Sequence, residues 1–216
     1  MIRRLLFGRR CVLCREPLAL DRSEKVRICP ECAGKVRREY RCTHGKAVDH
    51  CTRTDSVLFY KDDIRRAMMY AKFYHRTGIL RWFAEQTAVR LQANLDDWQP
   101  DYITFVPTSP LRKWVRGYDQ SEIIARVCAE RCGLECRKML RRRFFSVRQS
   151  RMHSRRNRQR NAVRGFLPRS GADIGGKRIV LIDDILTSGS SASVCAGLLR
   201  EMGACEVCLL TATRVP

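Results

Sequence analysis

The chain has 216 residues, 44% of them hydrophobic, and a formal net charge of +21 from 43 Lys and Arg against 22 Asp and Glu. That length suits one ordinary domain with a small appendage, and the apolar share is enough for a packed core. So large a surplus attracts polyanions: nucleic acid, anionic membrane surface or phosphorylated small molecules.

No apolar run reaches the ~18 residues that a membrane span needs, and the basic opening MIRRLLFGRRC has too short an apolar stretch for a signal peptide. A cytoplasmic protein that does not itself span a membrane is expected. Twelve cysteines in such a chain favour metal ligation over a disulfide framework.

Cys11-Val-Leu-Cys14 and Cys29-Pro-Glu-Cys32 are two Cys-x-x-Cys turns with fourteen residues between them. Each turn aims two thiolates at one point, and together Cys11, Cys14, Cys29 and Cys32 supply four sulfurs for a tetrahedral Zn²⁺, as in a zinc ribbon. The segment between them is too short and polar to fold without such a staple. No strand–helix–strand pattern surrounds either pair, which argues against a redox role. Cys42, His44, His50 and Cys51 follow without the paired spacing; they could form a second, irregular site or be plain loop residues. Residues 1–52 are expected to form this cysteine module, and residues 53–216 a second domain.

A connector, Thr52 to Tyr60, leads to DDIRRAMMYAKF, where Ile64, Ala67, Met68 and Ala71 share one helical face. Leu80, Phe83, Thr87, Leu91 and Leu95 predict a second helix ending near DDWQP. DYITFVP reads as a buried strand, SPLRKWVRG as a basic loop, and YDQSEIIARVCAERCG as a helix stopped by Gly133. Cys128, Cys132 and Cys136 recur every four residues, which predicts one helical stripe packed in the core. Cys205 and Cys208 lie in a predicted strand, facing opposite sides.

Residues 137–172 contain no acidic residue and thirteen Lys or Arg. A charge run is ordinarily a solvated face. Here, however, Arg predominates, and guanidinium is the better phosphate fork. Arg151, Arg155, Arg156, Arg158 and Arg160 are the candidate contacts to a nucleic-acid backbone. Phe144 and Phe145 could stack on bases or be buried as strand residues.

The last third alternates strand, helix and strand, which predicts an α/β fold with a parallel sheet. Arg178 to Ile182 read as a central strand, and Asp183 and Asp184 fall at its carboxyl end, where such sheets bind ligands. Thr187-Ser188-Gly189-Ser190-Ser191 then opens a helix. Small residues let backbone N–H groups approach an anion, hydroxyls add donors, and the helix start adds partial positive charge. The loop suits a phosphate, but no Gly-Lys-Ser/Thr makes it a Walker loop. Two carboxylates beside a phosphate make sense when the ligand also presents hydroxyls. A ribose 5-phosphate does so, and phosphoribosyl pyrophosphate adds a pyrophosphate, carried with Mg²⁺.

VLIDDILTSGSSA resembles the phosphoribosyl-pyrophosphate motif of type I phosphoribosyltransferases. The paired cysteine turns, AKFYHRTG, VPTSPLRKWVRGYDQSE, RQSRMHSRRNRQRNAVRGF and this last motif occur in the order seen in the ComF family, and the chain is most similar to its ComFC-type branch. The resemblance spans almost the whole chain. It implies a zinc ribbon followed by a Rossmann-like type I phosphoribosyltransferase fold, with a role in natural transformation.

Carried over, the resemblance puts Asp183 and Asp184 on the ribose diol and Thr187, Ser188, Gly189, Ser190 and Ser191 on the 5-phosphate. Pro107, Thr108, Arg112 and Arg116 would lie near the pyrophosphate. Arg148 lies where related enzymes carry a loop that closes over the pyrophosphate, and with Asp183 and Asp184 it makes up the candidate catalytic set. Arg116, Gly117 and Gln120 match the family's Arg-Gly-Phe-Asn-Gln signature, with Tyr118 and Asp119 replacing Phe and Asn.

Two functions follow as expectations. One is single-stranded-DNA handling in transformation, in the cytoplasm, with peripheral attachment to the uptake helicase machinery at the inner membrane. The other is transfer of ribose 5-phosphate to an acceptor with release of pyrophosphate. No base-reading hood is recognisable, so catalysis stays open.

Overall fold

The computed structural model describes residues 10–18, 27–73, 77–143, 165–169, 171 and 173–216. Helix α1 (Pro30–Lys35) starts at Cys29, whose sulfur accepts the N–H of Cys32, with proline in the first turn where its missing donor costs nothing. A π-helical turn, Val36–Tyr40, continues it. There follow β1 (Arg53–Phe59), α2 (Asp62–Phe73), α3 (Thr77–Gln92), α4 (Leu95–Trp98), β2 (Tyr102–Phe105), α5 (Pro110–Arg116), α6 (Gln120–Cys132), β3 (Glu135–Cys136), β4 (Leu140–Arg142), β5 (Phe166–Pro168), β6 (Arg178–Leu186), α7 (Ser190–Glu201) and β7 (Glu206–Arg214).

Five strands form a parallel sheet in the order β1-β7-β6-β2-β3. Strands β4 and β5 pair antiparallel beside it. Alternation along β6 sorts its side chains between two cores. Val180 and Ile182 pack with α2, α3 and α6, while Ile179 and Leu181 pack with α7, Met139 and Phe166. The sheet is thus covered on both faces, as all-parallel sheets require, and its central strands read as continuous apolar runs. The stripe Ile64, Ala67, Met68 and Ala71 is buried as expected. Burial of a side chain the size of Ile64 stabilises the fold by about 1.5–3 kcal/mol. The cysteine segment joins the same core: Cys11, Val12 and Leu13 are buried in the cluster that holds α2 and α3. Arg15 lies 4.7 Å from the centre of the Tyr70 ring.

Several elements differ from the sequence reading. The connector Thr52–Tyr60 is largely edge strand β1, held to β7 by parallel pairing and by a buried Ser56–Thr211 hydroxyl contact of 2.8 Å. The basic loop is helix α5: Ser109 caps it by accepting the Arg112 N–H, and Gly117 ends it with a φ of 75°. The second predicted helix stops at Gln92, and Leu95 opens the short α4. Cys136 is in β3 rather than on the helical stripe with Cys128 and Cys132. Strand β6 runs on to Leu186 because β7 continues to pair with it after β2 has ended at Phe105.

Candidate functional site

Strand β2 has β3 on one side and β6 on the other, although the chain visits β3 first. The order therefore reverses between β2 and β6, and the crevice at their carboxyl ends is where open α/β sheets bind ligands. The last β2–β6 pair is Phe105 with Ile182, followed only by the Val106 N–H to Ile182 carbonyl bond. Pro107 has no N–H and cannot extend the ladder. Asp183 and Asp184 thus sit within β6 by its pairing to β7, yet at the open mouth on the β2 side.

The two aspartates have different partners. Asp183 Oδ1 accepts from Ser121 Oγ at 3.0 Å and from the Asp184 N–H at 2.9 Å. Burial, and next the charge of Asp184, holds the Asp183 carboxyl well above the usual carboxylate range. Asp184 Oδ2 is 2.9 Å from Lys72 Nζ at the end of α2, and its backbone carbonyl accepts from Thr213 Oγ1 at 3.0 Å.

The loop 187–191 follows directly. Thr187 and Ser188 are exposed, and Ser190 and Ser191 are half-buried. Gly189 has a φ of 79°, and a Cβ there would come within 3.1 Å of Val48, so the loop needs glycine on both counts. Gly189 provides no side-chain cap for α7; the Ser190 N–H donates to Ser188 Oγ at 3.4 Å, and the start of the helix adds the partial positive charge that suits an anion. Ser188 Oγ and Ser190 Oγ are 2.9 Å apart. Lys46, from the segment between Cys42 and Cys51, reaches across to place Nζ 3.5 Å from the Thr187 carbonyl.

Residues 107–120 form the opposite wall. Asp119, which stands where the resembled signature has Asn, is buried and bonds to backbone. Oδ2 accepts the Thr108 N–H at 2.8 Å, and Oδ1 accepts the Glu122 N–H at 3.4 Å as the cap of α6. Burial raises its pKa, and the two N–H bonds pull against that. Among the described residues, Gln120 Nε2 and Arg142 Nε are buried without a hydrogen-bond partner. Arg142, on β4, lies 4.8 Å from the centre of the Phe166 ring; its pKa is lowered by burial and next by the charge of Arg112. Arg142 thus carries a buried, unsatisfied donor and feels the charges of both Arg112 and Asp183. Buried orphan donors and two mutually repelling guanidiniums fit a phosphoryl group. Arg116 turns away, its guanidinium 5.8 Å from the centre of the Phe73 ring.

The sequence reading did not single out Lys46, Lys72 or Ser121, and it placed Arg142 only in the basic run. A lysine beside the apolar stripe of α2 was the available signal for Lys72; nothing local marks Lys46. Arg148, Arg151, Arg155, Arg156, Arg158 and Arg160, with Phe144 and Phe145, lie outside the described residues.

The ligand atoms of Cys11, Cys14, Cys29 and Cys32 lie within 4.8 Å of one another, and these four form the only such group of cysteine, histidine and acidic side chains among the described residues. Cys42, His44, His50 and Cys51 are not brought together in the same way. The Cys14–Cys29 sulfur separation is 3.7 Å, which matches the ~3.8 Å edge of a tetrahedron with Zn–S bonds of ~2.3 Å. Backbone N–H groups of Cys29 and Cys32 point at Cys11 Sγ and Cys29 Sγ, both at 3.4 Å. Burial works to raise the Cys11 pKa, but hydrogen bonds led by the Cys29 N–H outweigh it and bring the thiol down to about 7. A four-sulfur set with N–H support fits a structural Zn²⁺.

No family model matches the chain. DNA utilization protein YhgH of Salmonella typhimurium is 27% identical to it over 214 residues, covering 91% of this chain and 93% of that protein. Competence protein F of Haemophilus influenzae is 24% identical over 220 residues, covering 93% and 95%. The resemblance to the ComF family is thus matched by similar proteins aligned over more than nine-tenths of the chain. Among solved structures, the chain is similar to an adenine phosphoribosyltransferase, with a TM-score of 0.41, 16% identity, and 74% and 78% of the two chains covered. It is also similar to a glutamine phosphoribosylpyrophosphate amidotransferase from B. subtilis, with a TM-score of 0.38, 25% identity and 52% of this chain covered, although it spans only 22% of that enzyme.

Proposed function

We propose that the chain binds phosphoribosyl pyrophosphate, or a related ribose phosphate, and acts in the cellular use of DNA that has been taken up, handling it as single strands. In this reading residues 1–52 are a zinc-stapled module and residues 53–216 a phosphoribosyltransferase-like domain. The observation that carries it is the run from Asp183 to Ser191: two carboxylates at the open mouth between β2 and β6, then a helix start lined with the hydroxyls of Ser188 and Ser190. Carboxylates accept from the ribose diol, and the helix start takes the 5-phosphate. Arg112 and Arg142 would meet the pyrophosphate. Mg²⁺, held on the pyrophosphate oxygens, would screen their charge. The names of the similar proteins and the +21 charge support a DNA role, with the Arg151–Arg160 run as the backbone contact.

The Arg112–Arg142 pair also favours a second reading, in which an acceptor attacks carbon 1 of the ribose. The bond from carbon 1 to the pyrophosphate oxygen breaks, and pyrophosphate leaves with the electron pair into the guanidinium pair. Calorimetric titration of the zinc-replete protein with phosphoribosyl pyrophosphate and Mg²⁺ tests the shared site; absence of heat and of competition by ribose 5-phosphate would refute both readings. Single-stranded DNA binding should weaken with salt, with a logarithmic slope of about 0.7 per phosphate contacted. Pyrophosphate release with a panel of bases separates the second reading from the first.

A further inference from the structure

Helix α5 packs none of its seven side chains into the core. Leu111, Trp114 and Val115, at i, i+3 and i+4, share one face and are 62%, 84% and 64% exposed. Phe73, at the end of α2, is 60% exposed and stands under the Arg116 guanidinium. A tryptophan this exposed is unusual. The other two tryptophans, Trp82 and Trp98, are each only 4% exposed. The helix follows directly from the Pro107–Ser109 wall of the site, so whatever covers it lies next to the bound sugar phosphate.

We propose that this face is a base-stacking surface for single-stranded nucleic acid, with Trp114 as the platform and Arg116 as a phosphate contact at its edge. The inference rests on the nucleic-acid reading above and names where the bases go. Charge complementarity decides the occupant. Lys113 is already committed to Glu122 at 3.1 Å, but the Arg116 guanidinium lies over the exposed Phe73 ring, and the chain as a whole carries a net charge of +21. A base needs only one aromatic face, and every base has one, so a single Trp beside a guanidinium is a sequence-tolerant contact. Two turns of helix give a membrane three apolar side chains, short of what stable interfacial anchoring takes. They are likewise too small for a self-association interface, which needs on the order of 1,200 Å².

The test uses intrinsic fluorescence of the zinc-replete full chain, because Trp114 alone among the three tryptophans is open to solvent. The probe is a thymidine oligonucleotide of about 16 nucleotides, compared with an abasic chain of the same length. The oligonucleotide should quench emission and the abasic chain should not. Trp114→Ala should abolish the quench and weaken binding by roughly tenfold, within the range for one stacked base. Trp114→Phe should restore affinity, and neither change should move the melting temperature. Equal affinity of the parent and Trp114→Ala would overturn the inference while leaving the nucleic-acid reading intact. If the parent bound no oligonucleotide at all, both would fall. An emission blue shift on phosphatidylglycerol vesicles with no response to the oligonucleotide would assign the face to a membrane instead. A Trp114-dependent dimer in sedimentation would assign it to a second copy. Either result overturns the proposal.

Discussion

The ammonium nitrogen of Lys72 stands 2.9 Å from Oδ2 of Asp184, and the two side chains are only 15% and 17% exposed. The pair gives the open mouth of the sheet its own counterion, so that Asp183 and Asp184 do not face each other as two bare charges. Removing one partner of a buried pair costs about 3–5 kcal/mol, and partial exposure lowers that here. Lys72→Met should therefore destabilise the protein by roughly 2 kcal/mol in urea unfolding. The double variant with Asp184→Asn should recover most of the loss. Additive losses would mean that the contact contributes nothing.

Asp183 makes stability and ligand binding respond oppositely to pH. Its folded pKa lies above the ordinary carboxylate value of about 3.9 because of burial and the Asp184 charge. The folded state then holds a proton that the unfolded state has lost. Stability from this group is greatest below the unfolded pKa and falls as pH rises through the folded one. Ribose hydroxyls donate best to the ionised carboxylate, so sugar-phosphate affinity should rise over the same interval. Asp183→Asn should flatten both profiles and raise stability at neutral pH. Lys72, Ser121 and Arg142 also face this carboxyl or act on its charge, so the profile must be repeated in the Lys72→Met background.

Much of this arrangement was legible in the residues, and the gaps have physical causes. The strand–Asp-Asp–small-loop–helix run was readable because each step is a local preference: β-branched residues for a central strand, then glycine and hydroxyls at a helix start. The cysteine pairs were readable because metal ligation fixes spacing. Helix α5 was missed because its apolar residues face solvent, so no core-facing stripe announced it, although Ser-Pro at its start and Gly117 at its end were both cap signals. Strand β1 was missed because an edge strand is specified by its partner β7, about 150 residues away. Lys46 and Lys72 reach the site only through tertiary packing, and no sequence period encodes that.

Zinc removal should disturb more than the cysteine turns. Cys11, Val12 and Leu13 are part of the core that holds α2 and α3, and Lys46, later in the same module, touches the anion loop. Chelation, or Cys14→Ser, should reduce zinc from one per chain toward none and lower the melting temperature, since structural zinc contributes folding free energy directly. X-ray absorption and calorimetry would check both. Loss of metal with an unchanged melting temperature would mean that the module is not held by it.

The Asp119 carboxylate is held by two backbone N–H groups, those of Thr108 and Glu122. Asp119→Asn keeps a carbonyl oxygen for one of the two N–H groups, while Asp119→Ala keeps none. The alanine variant should lose about 1–2 kcal/mol through the lost cap and also free the Thr108 N–H; the asparagine variant should lose less. Urea unfolding of both variants, with sugar-phosphate titration, separates the cap from the loop. Equal losses would mean that the bond the asparagine retains contributes little.

Arg142 holds a buried donor that a bound anion would satisfy. Its Nε is buried without a partner among the described residues, and the Arg112 charge repels it. Leaving a buried charged donor unsatisfied is destabilising, so Arg142→Met should leave the unliganded protein as stable as the parent or more stable. The same change should weaken pyrophosphate binding by roughly ten- to a hundredfold, as loss of one charged hydrogen bond of about 1.5–3 kcal/mol predicts. Arg112 is exposed, so Arg112→Met should weaken binding without a stability gain. Thermal unfolding and calorimetric titration with pyrophosphate read the two effects separately. A destabilised Arg142→Met that still bound pyrophosphate normally would reduce Arg142 to a stacking partner for Phe166 and remove the anion site from this wall of the crevice.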